Sequence, residues 1–245
     1  METYDIDLEK GSSAQKVVDK LRVYGAVRIV GYTNKASIIK KELMEIYDSM
    51  EPNYQYGKAI RTDHSDTWCP QKTPSVVDFF NNQWMFDIAS NYQTLQNGFE
   101  KDLFSTYDYL HNNGTGPQGW AHFDKLQRFK FFLNVTNIDK QCGPLCLAPG
   151  THTQVKKLRN MDPTPNDPRR WRFGRFFGDD GLCGEDDWKE GAIDGSQNHY
   201  PDIRYELQPM IGPEGTLIIF DSDVIHKGGG ISKGKERIVV RSHLW

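Results

Sequence analysis

Trp120-Ala121-His122-Phe123-Asp124, followed after three intervening residues by Arg128-Phe129-Lys130-Phe131-Phe132-Leu133-Asn134-Val135-Thr136, carries a strong β signal. Aromatic and β-branched side chains fill the second run, and such residues suit a pleated surface buried on at least one face. Working outward, short runs of similar character lie at 105–111, 145–148, 216–220 and 237–244. Between them are turn clusters such as Asn112-Asn113-Gly114 and Gly178-Asp179-Asp180-Gly181. Many short strands with no helix between successive pairs predict an antiparallel sandwich or barrel rather than a parallel sheet.

Upstream the periodicity changes. Val17, Val18, Leu21 and Tyr24 share one helical face behind the capping candidates Ser12 and Ser13, and 26–30, between two glycines, reads as a strand. Ile39, Leu43, Ile46 and Met50 mark a second helix with Asn34 as its expected cap, and Trp84, Met85, Ile88, Tyr92 and Leu95 mark a third. The expectation is a mainly β protein with flanking helices and a helix-rich N-terminal third, forming a single domain over 1–245. Residues 155–205 interrupt the β pattern with Arg169, Arg170, Trp171, Arg172 and Arg175, then Asp179, Asp180, Glu185, Asp186 and Asp187. Such an insertion reads as a lid or substrate loop, and its arginines suggest an anionic small-molecule substrate.

Composition narrows the classes. With 37% hydrophobic residues, 26% charged residues and a net charge of −3, the 245-residue chain has material for a core and no basic excess to attract nucleic acid or anionic membrane. No run of eighteen apolar residues and no leader-like N-terminus is present, so a cytoplasmic protein is expected. Four scattered cysteines predict free thiols, with zinc at Cys142 and Cys146 as a minor alternative. Oligomeric state leaves no trace in the sequence.

His122 and Asp124 stand two apart, so a strand aims both at one face, as two ligands of a facial triad require. A His-x-Asp alone is weak evidence, and His64-Ser65-Asp66 is a second one in a segment poor in strand formers. The pair next to the strong β run is preferred because regular elements place ligands better. A third ligand is sought in Gly215-Thr216-Leu217-Ile218-Ile219-Phe220-Asp221-Ser222-Asp223-Val224-Ile225-His226, an apolar strand ending in a polar turn and a histidine. Downstream, period-two spacing puts Arg237, Val239, Arg241 and His243 on one face, and a buried arginine there needs an anion. Lys130 and Asn134 are candidates to line the same interior and contact substrate, as is Arg241.

Taken in order, His122-x-Asp124, Gly143-Pro144-Leu145-Cys146-Leu147-Ala148-Pro149-Gly150-Thr151-His152, Gly215 to Phe220, His226 and Arg237 resemble the phytanoyl-CoA dioxygenase family of Fe(II)/2-oxoglutarate oxygenases. The resemblance covers about 24–245. It implies a double-stranded β-helix of jelly-roll, cupin-like form, with His122, Asp124 and His226 as iron ligands. Arg237 is the implied anchor of the co-substrate 2-oxoglutarate, O2 is the second co-substrate, and His152 is structural. Gln141, Cys142 and Thr151 depart from the family pattern in a turn, not at a ligand. Related halogenases lack the metal-binding carboxylate; Asp124 retains it, so hydroxylation of a small metabolite is favoured over halogenation. Two other readings remain: a catalytically silent jelly-roll binding module, and a metal-dependent cupin that does not use 2-oxoglutarate.

Overall fold

The computed structural model describes residues 4–54, 57–61, 70–92, 101–110, 121–124, 127–161, 176–177, 191–193 and 204–244. In chain order the elements are β1 (Asp7–Leu8), α1 (Ala14–Tyr24), β2 (Ala26–Ile29), α2 (Ala36–Tyr47), β3 (Gly57–Arg61), α3 (Pro74–Phe80), α4 (Gln83–Tyr92), β4 (Lys101–Asp108), β5 (Phe129–Asn134) and β6 (Leu145–Ala148). There follow α5 (His152–Met161), β7 (Phe176–Phe177), β8 (Gly191–Ile193), β9 (Arg204–Tyr205), β10 (Gln208–Pro209), β11 (Leu217–Asp221), β12 (Ile225–Gly228) and β13 (Arg237–Leu244).

Two facing sheets make the core. The large one has seven strands in the order β1-β2-β11-β5-β13-β4-β3, and a small one has the order β10-β6-β12. Neighbours in the large sheet are antiparallel except β1 and β2. Alternation along β5 explains why its six residues are all buried. Phe129, Phe131 and Leu133 join Leu217, Ile219, Ile238 and Val240 under the helices, against Val17 and Leu21 of α1, Ile39 and Leu43 of α2 and Ile88 of α4. Phe132 faces the other way and packs with Ile218 and Phe220 onto Leu147 of the small sheet. That inner chamber between sheets is the double-stranded β-helix interior, and a strand buried on both faces loses the apolar-polar alternation of a half-exposed one.

Several expectations shift in detail. Ser13 caps α1 as predicted, its hydroxyl accepting from the Lys16 amide at 3.3 Å. Asn34 does not cap α2: the cap residue is Lys35, with no side-chain cap bond, and Thr33 Oγ1 takes the Lys35 amide at 3.1 Å instead. The predicted third helix begins at Gln83 and is preceded by α3, where Pro74 opens the helix from a position that needs no amide donor. The N-terminal third gives β1 to β3 to the large sheet alongside α1 to α3. α5 follows the Pro149-Gly150-Thr151 turn and was not foreseen. The predicted strand at 120–124 reduces to an isolated bridge at His122, with Trp120 outside the described residues.

Most of the 155–205 insertion, and the whole of His64-Ser65-Asp66, lie outside the described residues. Cys142 is a buried free thiol, whereas Cys146 is disulfide-bonded, against the expectation of free thiols throughout. A sulfur held in a disulfide is not a thiolate ligand, which removes the Cys142/Cys146 zinc alternative. Among the described residues no helix is long and apolar enough to cross a membrane.

Candidate metal centre

His122 and His226 are brought together by the backbone itself. The His122 amide donates to the His226 carbonyl at 2.9 Å and the His226 amide to the His122 carbonyl at 2.7 Å, a two-residue antiparallel bridge. The imidazole centroids are 4.5 Å apart. Asp124 follows two residues later, fixed by its amide donating to the Ser222 carbonyl at 3.1 Å. Its Oδ1 lies 3.5 Å from His226 Nε2 and 3.9 Å from His122 Nε2, and one ligand atom from each of the three residues falls within 4.8 Å of the others.

The protonation pattern favours a cation at their meeting point. His226 Nδ1 is 2.7 Å from the Val224 carbonyl, which can only accept, so Nδ1 carries the proton and Nε2 presents a lone pair. A backbone carbonyl in that role is the usual means of orienting a metal-binding imidazole. Asp124 Oδ1 then faces Nε2 as a second acceptor, and two acceptors at 3.5 Å are reconciled by a positive ion. Burial would raise the Asp124 carboxyl, but the Lys130 ammonium, 2.7 Å from Oδ2, and the His226 imidazole together outweigh it and hold the group well below the usual carboxylate range. Burial lowers His226 below an ordinary imidazole, with Lys130 nearby adding to the effect, and so keeps the ring neutral.

Lys130 and Asn134 both point into the chamber, as proposed for substrate-contacting residues. The Lys130 ammonium, however, is engaged by Asp124 Oδ2 and lies 3.3 Å from His226 Nε2, so it belongs to the ligand cluster. Arg237 reaches Asp108 of β4 through Nε at 3.0 Å and Nη2 at 2.9 Å, and its Nη1 donates to the Gly143 carbonyl. Asp108 is 2% exposed, so the expected co-substrate anchor already has a buried counter-ion. Arg241 lies under the Phe104 ring, its guanidinium carbon 3.9 Å from the centroid, and burial pushes it down to about 10, still cationic at neutral pH.

The loop carrying His226 rests on a network that sequence reasoning missed. Asp221, fully buried at the end of β11, accepts from Tyr92 Oη at 2.9 Å, Gln127 Nε2 at 2.9 Å and the Asp223 amide at 2.9 Å, and pairs with Lys156 at 2.8 Å. It thereby ties α4, α5 and the segment before β5 to the turn that precedes His226. The signal was a carboxylate terminating an apolar strand, but its three side-chain partners are far apart in sequence. His152 is structural, as expected: it packs against Gly25 at the end of α1, with Nε2 3.3 Å from the Arg22 carbonyl.

The profile of the phytanoyl-CoA dioxygenase (PhyH) family matches residues 82–239. No curated protein matches the chain in sequence. Among solved structures, AviO1 from Streptomyces viridochromogenes Tue57 is similar over 95% of this chain and 95% of its own, with a TM-score of 0.53 and 11% identity. EvdO2 from Micromonospora carbonacea var. aurantiaca, complexed with 2-oxoglutarate, is similar over 96% and 92%, with a TM-score of 0.53 and 11% identity. The non-heme alpha ketoglutarate dependent epimerase SnoN from nogalamycin biosynthesis is similar over 95% and 82%, with a TM-score of 0.52 and 9% identity. At these identities the likeness concerns the fold.

Proposed function

This chain belongs to the phytanoyl-CoA dioxygenase family of Fe(II)- and 2-oxoglutarate-dependent oxygenases, and from that premise we propose that it oxidises a C–H bond of a small molecule, with hydroxylation as the favoured outcome. The observation that carries the reading is the convergence of His122, Asp124 and His226, one ligand atom each within 4.8 Å, with the His226 tautomer set by Val224. Fe(II) bound there would supply a coordination site for the keto acid and O2, and with it the oxidising power that no side chain has. The donor set fits: two imidazoles and one carboxylate oxygen are the combination that would hold Fe(II) with coordination positions left for the keto acid and O2.

The chain's own residues do the rest. Lys130 holds Asp124 Oδ2 and so turns Oδ1 toward the two imidazoles. Phe220 and Phe132 give the chamber apolar walls that exclude water from the reacting centre. Retention of Asp124 supports hydroxylation over halogenation, since a halide would need the coordination position that this carboxylate takes. The similar SnoN is described as an epimerase, so the fold does not by itself select the reaction. Arg237 is the residue to which the family pattern assigns the far carboxylate of 2-oxoglutarate, and in that role it must share its guanidinium with Asp108.

The test is anaerobic. Fe(II) and 2-oxoglutarate together should give a visible charge-transfer band that neither gives alone, lost in Asp124→Ala and His226→Ala and kept in His64→Ala. A band that survives His226→Ala would sink the assignment. A band independent of 2-oxoglutarate would favour the cupin reading that does without it.

A further inference from the structure

The two arginines on the inner face of β13 have different cross-strand partners. Arg237 stands opposite Asp108 of β4, whereas Arg241 stands between Phe104 of β4 and Phe132 of β5. The Arg241 guanidinium carbon lies 3.9 Å from the Phe104 centroid and 5.4 Å from that of Phe132. Aromatic faces hold a guanidinium by its flat sides and leave its in-plane N–H groups for an oxyanion. Arg241 Nε is shut off from solvent without a hydrogen-bond partner, and Arg241 makes no ion pair among the described residues.

Two neighbours on the same face are in the same condition. Asn134, 3% exposed, has an unpartnered Nδ2, and His243 has an unpartnered Nε2. In the β5-β13 register Asn134 pairs with Val239, Phe132 with Arg241 and Lys130 with His243. Asn134 and His243 therefore flank Arg241, each about 7 Å along its strand from the Phe132–Arg241 pair. Leaving a buried polar group unpaired costs roughly 1–3 kcal/mol, so three on one patch mark a surface built to meet a ligand.

Charge balance says what kind of ligand. The carboxylates that act on Arg241 are Asp108 and Asp124, and these already hold Arg237 and Lys130. A divalent metal and a doubly charged 2-oxoglutarate would cancel each other and leave Arg241 still without a counter-ion. A buried charge needs a partner.

We infer that Arg241, with Asn134 and His243, forms a receptor for an oxyanion carried by the primary substrate: a carboxylate, sulfonate or phosphate group seated one same-face step along the strand from Lys130. The inference rests on the oxygenase reading for the use made of the anchored molecule, and on the geometry above for the site itself.

The experiment is calorimetric titration of sulfate and of methanesulfonate, at ionic strength fixed with chloride, into the full chain saturated with Mn(II) and 2-oxoglutarate. One anion should bind per chain. Arg241→Gln should weaken it by about tenfold or more, the loss expected for a charge-assisted contact, and Asn134→Ala by less. If Arg241→Gln instead weakens 2-oxoglutarate while 2-oxobutanoate, which lacks the far carboxylate, binds as before, the receptor serves the co-substrate and the inference is overturned. Unchanged sulfate binding in both variants overturns it too. Should Arg241→Gln fail to fold, Asn134→Ala decides. If the wild type binds neither Mn(II) nor 2-oxoglutarate, the oxygenase reading falls, while sulfate titrated into the untreated protein still judges Arg241.

Discussion

Replacing Arg237 by Met should cost far more stability than a surface charge would, and the loss should be recoverable by a second substitution at Asp108. The carboxylate of Asp108 is 2% exposed and its Oδ2 takes both Arg237 Nε and Nη2, while Thr106 Oγ1 lies 3.1 Å from the same oxygen. Removing the guanidinium strands a buried carboxylate, which costs about 3–5 kcal/mol. At about 2–4 °C per kcal/mol for a chain of this length, the melting temperature should fall by roughly 6–20 °C. Asp108→Leu combined with Arg237→Met removes both charges, and an apolar replacement of a whole buried pair is often neutral, so most of that fall should be regained. Thermal unfolding of the wild type, both single variants and the double variant closes the cycle. An Arg237→Met protein that melts within about 2 °C of the wild type, or a double variant no better than the worse single one, refutes the argument that Asp108 owns this guanidinium. The same proteins bear on the co-substrate: Asp108→Asn should tighten 2-oxoglutarate binding if Arg237 anchors it, and leave it unchanged if Arg237 is only a strut.

Three further outcomes follow from the site. Lys130→Met should destabilise EDTA-treated protein by roughly 3–5 kcal/mol, because Asp124 loses its ammonium partner, and excess Mn(II) should restore most of it; equal melting temperatures in EDTA would count against the pair. The imidazoles of His226, His243 and His152 are all held below their ordinary value, first of all by burial, so the unfolded chain binds more protons than the folded one once pH falls below about 6.5. Stability of the EDTA-treated protein should therefore drop as pH goes from 7.5 to 5.5, whereas Asp124, held low, adds no loss in that window; a flat profile contradicts this. Gly25→Ala should destabilise by about 1–3 kcal/mol: its φ of 70° suits glycine, and a Cβ would come within 2.5 Å of Val224 and 2.6 Å of His152. A melting temperature equal to that of the wild type would show that this turn yields.

The β-rich architecture was legible because Phe129 to Val135, 145–148, 216–220 and 237–244 concentrate residues that fit only a doubly buried sheet. The strands at 145–148 and 237–244 stand as expected, whereas other boundaries moved by up to four residues, the one expected over 105–111 running over Lys101–Asp108, as hydrogen bonding rather than composition ends a strand. α3 escaped notice because Val76, Phe79 and Phe80 give too short an apolar stripe to stand out, and the helix holds through packing on Tyr32 and the core. The bridge at His122 could not be told from a strand, since both aim residues 122 and 124 to one side.

What spacing cannot carry is the identity of the neighbour across a strand. Arg237 and Arg241 are equivalent by period, composition and face. Their chemistry separates only when β4 is laid alongside β13: Asp108 falls opposite Arg237, and Phe104 opposite Arg241. A shift of that pairing by four residues would set Asp108 opposite Arg241 instead, while leaving every pattern in the sequence intact. Lys130 shows the same dependence, for it becomes a partner of Asp124 rather than a substrate contact only because the His122–His226 bridge brings the carboxylate over the end of β5. Ligand identity in this chain is thus written locally, in residues two apart, while the balance of charge around the ligands is written in registers between distant strands. Register fixes which arginine is already neutralised, and with it which one still needs an anion.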